Sequence, residues 1–251
     1  SGGIYDHLGG GFHRYSVDHK WLVPHFEKML YDNALLSKVY FQAYQITDNP
    51  QFLKVGTKTL DYVLREMTSD EGAFCSTQDA DTEGGEGRFF VWTPDEVLNV
   101  LGQEQGEIFC AAYDVDDVGN FEGKSILNRP VSAEDIAAQY KLTVDELEAT
   151  MGENRERLLE ERSNRVHPGR DDKVQVSWNG LMISAMTIGF QTTGECRYIE
   201  AGQNAATFIL ENMFQPDGRL LHSYKDGEAK HNAYLDDYGG FMNGLIDLYE
   251  S

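Results

Sequence analysis

No stretch of this 251-residue chain stays apolar for more than a few residues, so no transmembrane helix is expected. The opening residues, Ser1-Gly2-Gly3-Ile4, carry neither a basic nor an apolar leader region, and no signal peptide is expected in this chain. Cysteine is scarce. Cys75, Cys110 and Cys196 lie far apart, are odd in number and include no CxxC, which argues against a disulfide framework and against a cysteine zinc site. Buried free thiols in a reducing, cytoplasmic compartment are the simplest account. Basic charge is also short: 21 Lys and Arg stand against 42 Asp and Glu, a net charge of −21. A field of that sign repels phosphate backbones and anionic lipid, so neither nucleic acid nor a membrane is expected as a partner.

What remains is globular composition, with 41% hydrophobic and 25% charged residues and enough chain for one large core. Helix starts are written plainly. Thr93-Pro94-Asp95-Glu96 and Thr143-Val144-Asp145-Glu146 are capping boxes, and Ser132 to Asp135 reads in the same way. The second box opens a helix expected to run to about Arg162. Apolar positions spaced by three or four predict a helix over 24–46 and another over 51–67, joined by Asp48-Asn49-Pro50 as an antiparallel hairpin.

This layout recurs at a constant offset of 146 residues. Asn33 falls on Asn179, Tyr44 on Phe190, Gly56 on Gly202, Met67 on Met213 and Gly72 on Gly218. A third, partial copy starts at Asp237-Tyr238, where Phe241 and Tyr249 match Leu36 and Tyr44. Repeated helix hairpins of this length predict stacking or ring closure. The expected fold is therefore all-α (mainly α): a single α/α toroid of helix hairpins over 1–251, incomplete, with short β-hairpin insertions. A strand-like piece follows each hairpin, at 72–76 and 218–223, and Arg88–Trp92 is expected to pair with the former. The last periodic helix stops at Ser251 without a second helix, so a piece of a longer chain is expected.

Equivalent positions in such a ring face the same place. The starts of the first helices carry Tyr31-Asp32-Asn33, Trp178-Asn179-Gly180 and Asp236-Asp237-Tyr238, each coupling an aromatic to a carboxylate or amide. Aromatic faces stack on sugar C–H surfaces, and carboxylates or amides hold hydroxyls. Paired carboxylates also serve acid/base work. Helix capping accounts equally for Asp and Asn at these positions, though it does not require the aromatic. The segment Tyr5-Asp6-His7-Leu8-Gly9-Gly10-Gly11-Phe12-His13-Arg14-Tyr15 is the densest polar-aromatic stretch, and four of the seven histidines lie between His7 and His25. Histidine can act as general base, or it can brace a loop through hydrogen bonds. No phosphate-loop ending follows the glycines. The loop Asp79-Ala80-Asp81-Thr82-Glu83-Gly84-Gly85-Glu86-Gly87 looks like a cation loop but departs from an EF-hand in its third acidic position, its glycine and its closing glutamate, so a solvated or hydrogen-bonded acidic turn is expected ahead of a calcium site. No cofactor and no metal are expected.

The runs Gly2–Asp18 and Trp21–Asn33, with Asp79–Gly84, Gly119–Lys124, Asp172-Lys173 and Trp178–Met182, closely resemble the YyaL / spermatogenesis-associated thioredoxin-domain-containing family. The resemblance runs through nearly the whole chain. It implies an upstream thioredoxin-like domain followed by a six-hairpin, glycosidase-like α/α toroid, of which this chain is the central part. The CxxC of that family belongs to the thioredoxin part. The toroid is similar to those of N-acylglucosamine 2-epimerases, which use histidines, and unsaturated glucuronyl hydrolases, which use carboxylates.

The expected function is a carbohydrate-active domain, epimerase-like or hydrolase-like, with a sugar-like ligand. The catalytic candidates are His7, His13, His25, Asp32 and Asp237. The substrate-binding candidates are Arg14, Tyr15, Tyr31, Asn33, Asp79, Asp81, Trp178, Asn179, Asp236 and Tyr238. Two other readings compete. One is a non-catalytic module serving the thioredoxin-like domain. The other has the polar motifs holding the toroid's loops, buried and bonded among themselves.

Overall fold

The computed structural model describes residues 2–251. Strand β1 (Lys28–Met29) leads into the hairpin α1 (Leu30–Thr47) and α2 (Pro50–Glu66), followed by β2 (Thr77–Gln78), β3 (Asp81–Thr82) and β4 (Gly85–Glu86). Four helices come next: α3 (Pro94–Leu101), α4 (Gln103–Tyr113), α5 (Ala133–Tyr140) and α6 (Val144–Ser163). After β5 (Arg170–Asp171) and β6 (Val174–Gln175) come the hairpin α7 (Val176–Thr193) and α8 (Cys196–Asn212), the strands β7 (Leu221–Lys225) and β8 (Glu228–Asn232), and α9 (Leu235–Tyr249). The class is mainly α with short antiparallel strands, as the sequence implies. No described helix is long and apolar enough to cross a membrane.

By contacts the chain divides into two compact units. The first comprises Ser1–Gly9, His13–Glu27 and Ala80–Gly169. Its larger core joins Leu8 and Trp92 to Val97, Phe109, Tyr113, Leu147, Met151 and Leu158 from α3, α4 and α6. A smaller cluster gathers Phe26, Phe89, Phe90 and Ile126. Both expected capping boxes form: Thr93 and Thr143 accept from the N–H of Glu96 and Glu146, whose carboxylates return to the threonine N–H. The pair β3–β4 is a tight hairpin with Asp81 opposite Glu86.

The second unit comprises Gly10–Phe12, Lys28–Asp79 and Arg170–Ser251. Helix α7 is mostly apolar without a distinct polar face, and α1, α8 and α9 pack on it together. Phe41, Leu60, Val63, Met67, Met182, Met186, Tyr198, Ile209 and Met213 fill the core, each buried side chain contributing about 1.5–3 kcal/mol. The repeat glycines set the helix spacing. A Cβ on Gly56 would lie 3.1 Å from the Phe41 ring, and one on Gly202 would lie 3.7 Å from Met186 Cβ. Closer still than at these two positions, a Cβ on Gly180 would sit 2.3 Å from the Gly240 carbonyl, so α7 and α9 meet backbone to backbone.

Two antiparallel sheets with strand orders β1-β2-β5 and β6-β7-β8 lie in this unit, with Lys28 opposite Gln78 and Val174 opposite Tyr224. Two expectations change here. The helix predicted from Pro24 begins six residues later, because Phe26 has a left-handed φ of 24° and Lys28–Met29 are committed to the ladder with β2. Arg88–Trp92 does not pair with 72–76. It forms turns, Trp92 bridges Ser125, and Phe74 bridges Thr68. The thiols are free, but only Cys75 is buried; Cys110 is half-buried and Cys196 exposed.

Candidate functional site

The first helix of each repeat copy is tied to a strand-like segment by one side chain. The Phe12 N–H donates to Asn33 Oδ1 (2.7 Å), the Phe74 N–H to Asn179 Oδ1 (2.9 Å) and the Leu220 N–H to Tyr238 Oη (3.1 Å). Asn33 Nδ2 returns to the Phe12 and Met29 carbonyls, and Asn179 Nδ2 to those of Phe74 and Gln175. Both asparagines are fully buried. Their amides are therefore spent on backbone groups that would otherwise lack partners.

Beside these clamps, Tyr31 and Trp178 meet edge to face at 4.8 Å, both half-buried. Asp32 is half-buried in the first turn of α1, while Asp79 and Asp236 are exposed. Asp237 has no exposed surface. It accepts from Ser177 N (3.1 Å), Tyr234 N (2.9 Å) and His222 Nδ1 (2.8 Å). His222 keeps 24% of its side chain exposed, and its ring stands edge-on to the exposed Tyr234 at 5.2 Å. A buried carboxylate that takes Nδ1–H fixes the tautomer and leaves Nε2 as a lone-pair acceptor.

In the first unit His25 is built in the same way. Its Nδ1 bonds Glu86 Oε1 at 2.8 Å, and its ring stacks on Tyr15 at 4.8 Å with an interplanar angle of 23°. Arg14 pairs with Glu27 at 3.1 Å, and Asp81 is exposed on β3. His13 is only 3% exposed, bonds the Phe26 carbonyl through Nδ1 and is edge-packed by Phe26 and Phe90. His7 donates from Nε2 to the Gly2 carbonyl and lies between Tyr5 and Tyr113; removal from water pushes its pKa down to about 4. At neutral pH it is an uncharged structural histidine.

The candidates thus sort within each unit. His25 with Tyr15, and Asp237 through His222, acquire solvent-facing imidazole–carboxylate pairs. Asn33, Asn179, His7 and His13 are committed to local packing. Sequence reading missed His222 and the pairing role of Glu86. His222 lay in a recognised strand segment, but nothing local links it to a carboxylate fifteen residues on. Among the described residues no group of three or more His, Cys, Asp or Glu is placed to hold a metal ion.

No protein-family model matches the chain. It is homologous along its whole length to spermatogenesis-associated protein 20. The human protein is 34% identical over 285 aligned residues and the mouse protein 35%, each covering all of this chain. The chain spans about a third of the length of these curated relatives (36%). A protein of Caenorhabditis elegans described only as uncharacterized is 30% identical over 99% of the chain. Solved structures with a likeness include a cellobiose 2-epimerase from Bacillus thermoamylovorans (12% identity, TM-score 0.30, covering 99% of this chain and 78% of that one). A heparin-specific unsaturated glucuronyl hydrolase is also similar (8%, 0.31, 98% and 65%). At these TM-scores neither bears on the chemistry of this chain.

Proposed function

We propose that this chain is the α/α toroid portion of a longer, cytoplasmic protein and carries out proton transfer on a sugar-like substrate, in the manner of an isomerase or epimerase. The observation that carries the reading is the His222–Asp237 pair. Asp237 is wholly buried and accepts three hydrogen bonds, so it holds the imidazole rather than meeting substrate. With Nδ1 committed to Asp237, Nε2 is the group that takes a proton from a carbon next to a carbonyl, and the exposed Tyr234 ring beside the imidazole offers a face to the sugar. A glycosidase would need an accessible carboxylate pair. The enclosure of Asp237 therefore favours isomerisation over hydrolysis.

The test is deuterium exchange at the carbon next to the carbonyl, followed by NMR in D2O for a panel of aldoses, ketoses and N-acylhexosamines with the full-length protein. Exchange in the wild type that falls about 100-fold or more in His222→Asn is expected. A folded protein with no exchange across the panel sinks the proposal. It would leave the second reading, a non-catalytic module serving an upstream thioredoxin-like domain. That reading draws on Asn33 and Asn179, whose side chains hold loops.

A further inference from the structure

Within the second unit the first helices of the repeat pack in chain order, α1 on α7 and α7 on α9. The clamp residues Asn33, Asn179 and Tyr238 mark equivalent places on them, since each takes the N–H of a strand-like segment. Counting on from the clamps, Ala34 and Gly180 correspond to Gly239, Ser37 and Ile183 to Met242, and Phe41 and Thr187 to Ile246. On α7 these positions seat α9. A Cβ on Gly180 would strike the Gly240 carbonyl, and one on Gly244 would lie 2.8 Å from the Gly180 carbonyl oxygen and 3.2 Å from Ile183 Cβ. All of the α1 and α7 residues at these positions are buried.

On α9 the same face is open. Gly239 is exposed, and a Cβ added to it would meet no atom within 4 Å among the described residues. Met242 is 58% exposed, Ile246 50% and Tyr249 91%. The four residues fall at i, i+3, i+7 and i+10, which makes one continuous stripe. The open copy is more apolar than the covered ones: methionine stands where α1 buries Ser37, and isoleucine where α7 buries Thr187. A solvated helix face gains nothing from that exchange. Nor does it gain from Gly239, because glycine in an exposed helix interior is less stable than alanine. Both choices are favourable only when another helix lies close on the stripe.

We infer that this stripe is the seat of a further helix, which crosses α9 at Gly239 as α9 crosses α7 at Gly180, and that the helix belongs to the part of the longer protein outside this chain. Two observations identify the occupant. The seat continues the α1–α7–α9 order, so it fits a helix with small residues four apart, as Gly240 and Gly244 are on α9. The relatives also have chain to supply it, since the matched region is 36% of the human protein. The inference depends neither on His222 nor on a sugar substrate.

The test compares this chain with the full-length protein. In the chain alone Gly239→Ala should raise Tm by about 2–4 °C, the gain of alanine over glycine in an uncovered helix. In the full-length protein it sets a methyl against the crossing backbone, and Tm should fall; failure of that variant to fold while the chain alone gains stability counts the same way. A second measurement is alkylation of the thiol introduced by Met242→Cys, resolved by peptide mass mapping with the exposed Cys196 as internal reference. That thiol should react about tenfold or more slowly in the full-length protein than in the chain alone. A Tm that rises in both proteins, or equal alkylation in both, would overturn the inference. So would protection in the chain alone at concentrations where it sediments as a dimer, which would make a second copy the occupant.

Discussion

In an Asn179→Ala variant the backbone of Phe74 loses both of its bonds to that side chain. The N–H gives up an acceptor at 2.9 Å, its carbonyl a donor at 2.9 Å, and the Gln175 carbonyl a donor at 3.0 Å. Asn179 and Phe74 are fully buried, so the space cannot simply be filled by bulk water. Each buried group left unsatisfied costs about 1–3 kcal/mol, and the two carbonyls, with two lone pairs each, fall at the low end. The sum is about 3 kcal/mol, a large fraction of the stability of an ordinary domain. Urea unfolding followed by circular dichroism measures it as a fall in midpoint at unchanged slope. Asn179→Asp should cost nearly as much, because it keeps the acceptor for Phe74 N–H but turns a carboxylate oxygen toward two carbonyls. A loss below about 0.5 kcal/mol would refute the clamp. So would unchanged stability with abolished sugar binding, which would return Asn179 to the substrate.

Three further outcomes follow from the packing. Asp6 accepts from Leu8 N and Gly9 N and pairs with both Arg162 terminal nitrogens at 2.8–2.9 Å, both side chains being 4% exposed, so Asp6→Ala should cost about 3–5 kcal/mol by leaving a buried guanidinium uncompensated. Asp6→Asn, measured beside it in urea, should recover part of that loss through the retained backbone bonds. Gly180→Ala places a methyl 2.3 Å from the Gly240 carbonyl and should destabilise by about 1–3 kcal/mol or more, read as a drop in Tm; a neutral result would refute the close crossing of α7 and α9. His7 has a native pKa of about 4 against 6.5 for the free side chain, so the unfolded chain binds more protons between those values. Stability should rise with pH from about 4 to 6.5, by roughly 3 kcal/mol in all, and His7→Phe should flatten that part of the urea-midpoint profile.

The fold was legible where local chemistry decides it. Capping boxes, the Asn49-Pro50 start of α2 and the glycines that let helices approach are all short-range signals, and the 146-residue repeat carried them from α1–α2 to α7–α8. Reading failed where long-range pairing decides. Periodicity ran the first helix back to Pro24 because His25-Phe26 keeps helical spacing, but strand pairing between Lys28 and Gln78, fifty residues on, takes precedence. The candidate site shows the same division. Residue types alone flagged His25 and Asp237, and both received partners. They could not say that Asn33 and Asn179 face backbone, because an asparagine that binds a hydroxyl and one that holds a peptide group look alike in sequence. Nor could they find His222, whose partner is set by the return of β7 toward the start of α9.

The three clamps order the second unit in a particular way. Each first helix is tied to a segment that precedes it in the chain: α1 to Phe12, α7 to Phe74 and α9 to Leu220. The copies are thus linked like shingles, each edge held under the next. Such an array does not come apart as independent hairpins, because releasing the α1–α2 hairpin and its trailing strand also strips Asn179 of its partner. Deleting one copy to shorten the repeat should unfold its neighbour rather than give a smaller stable protein, whereas cuts placed outside all three ties should be tolerated.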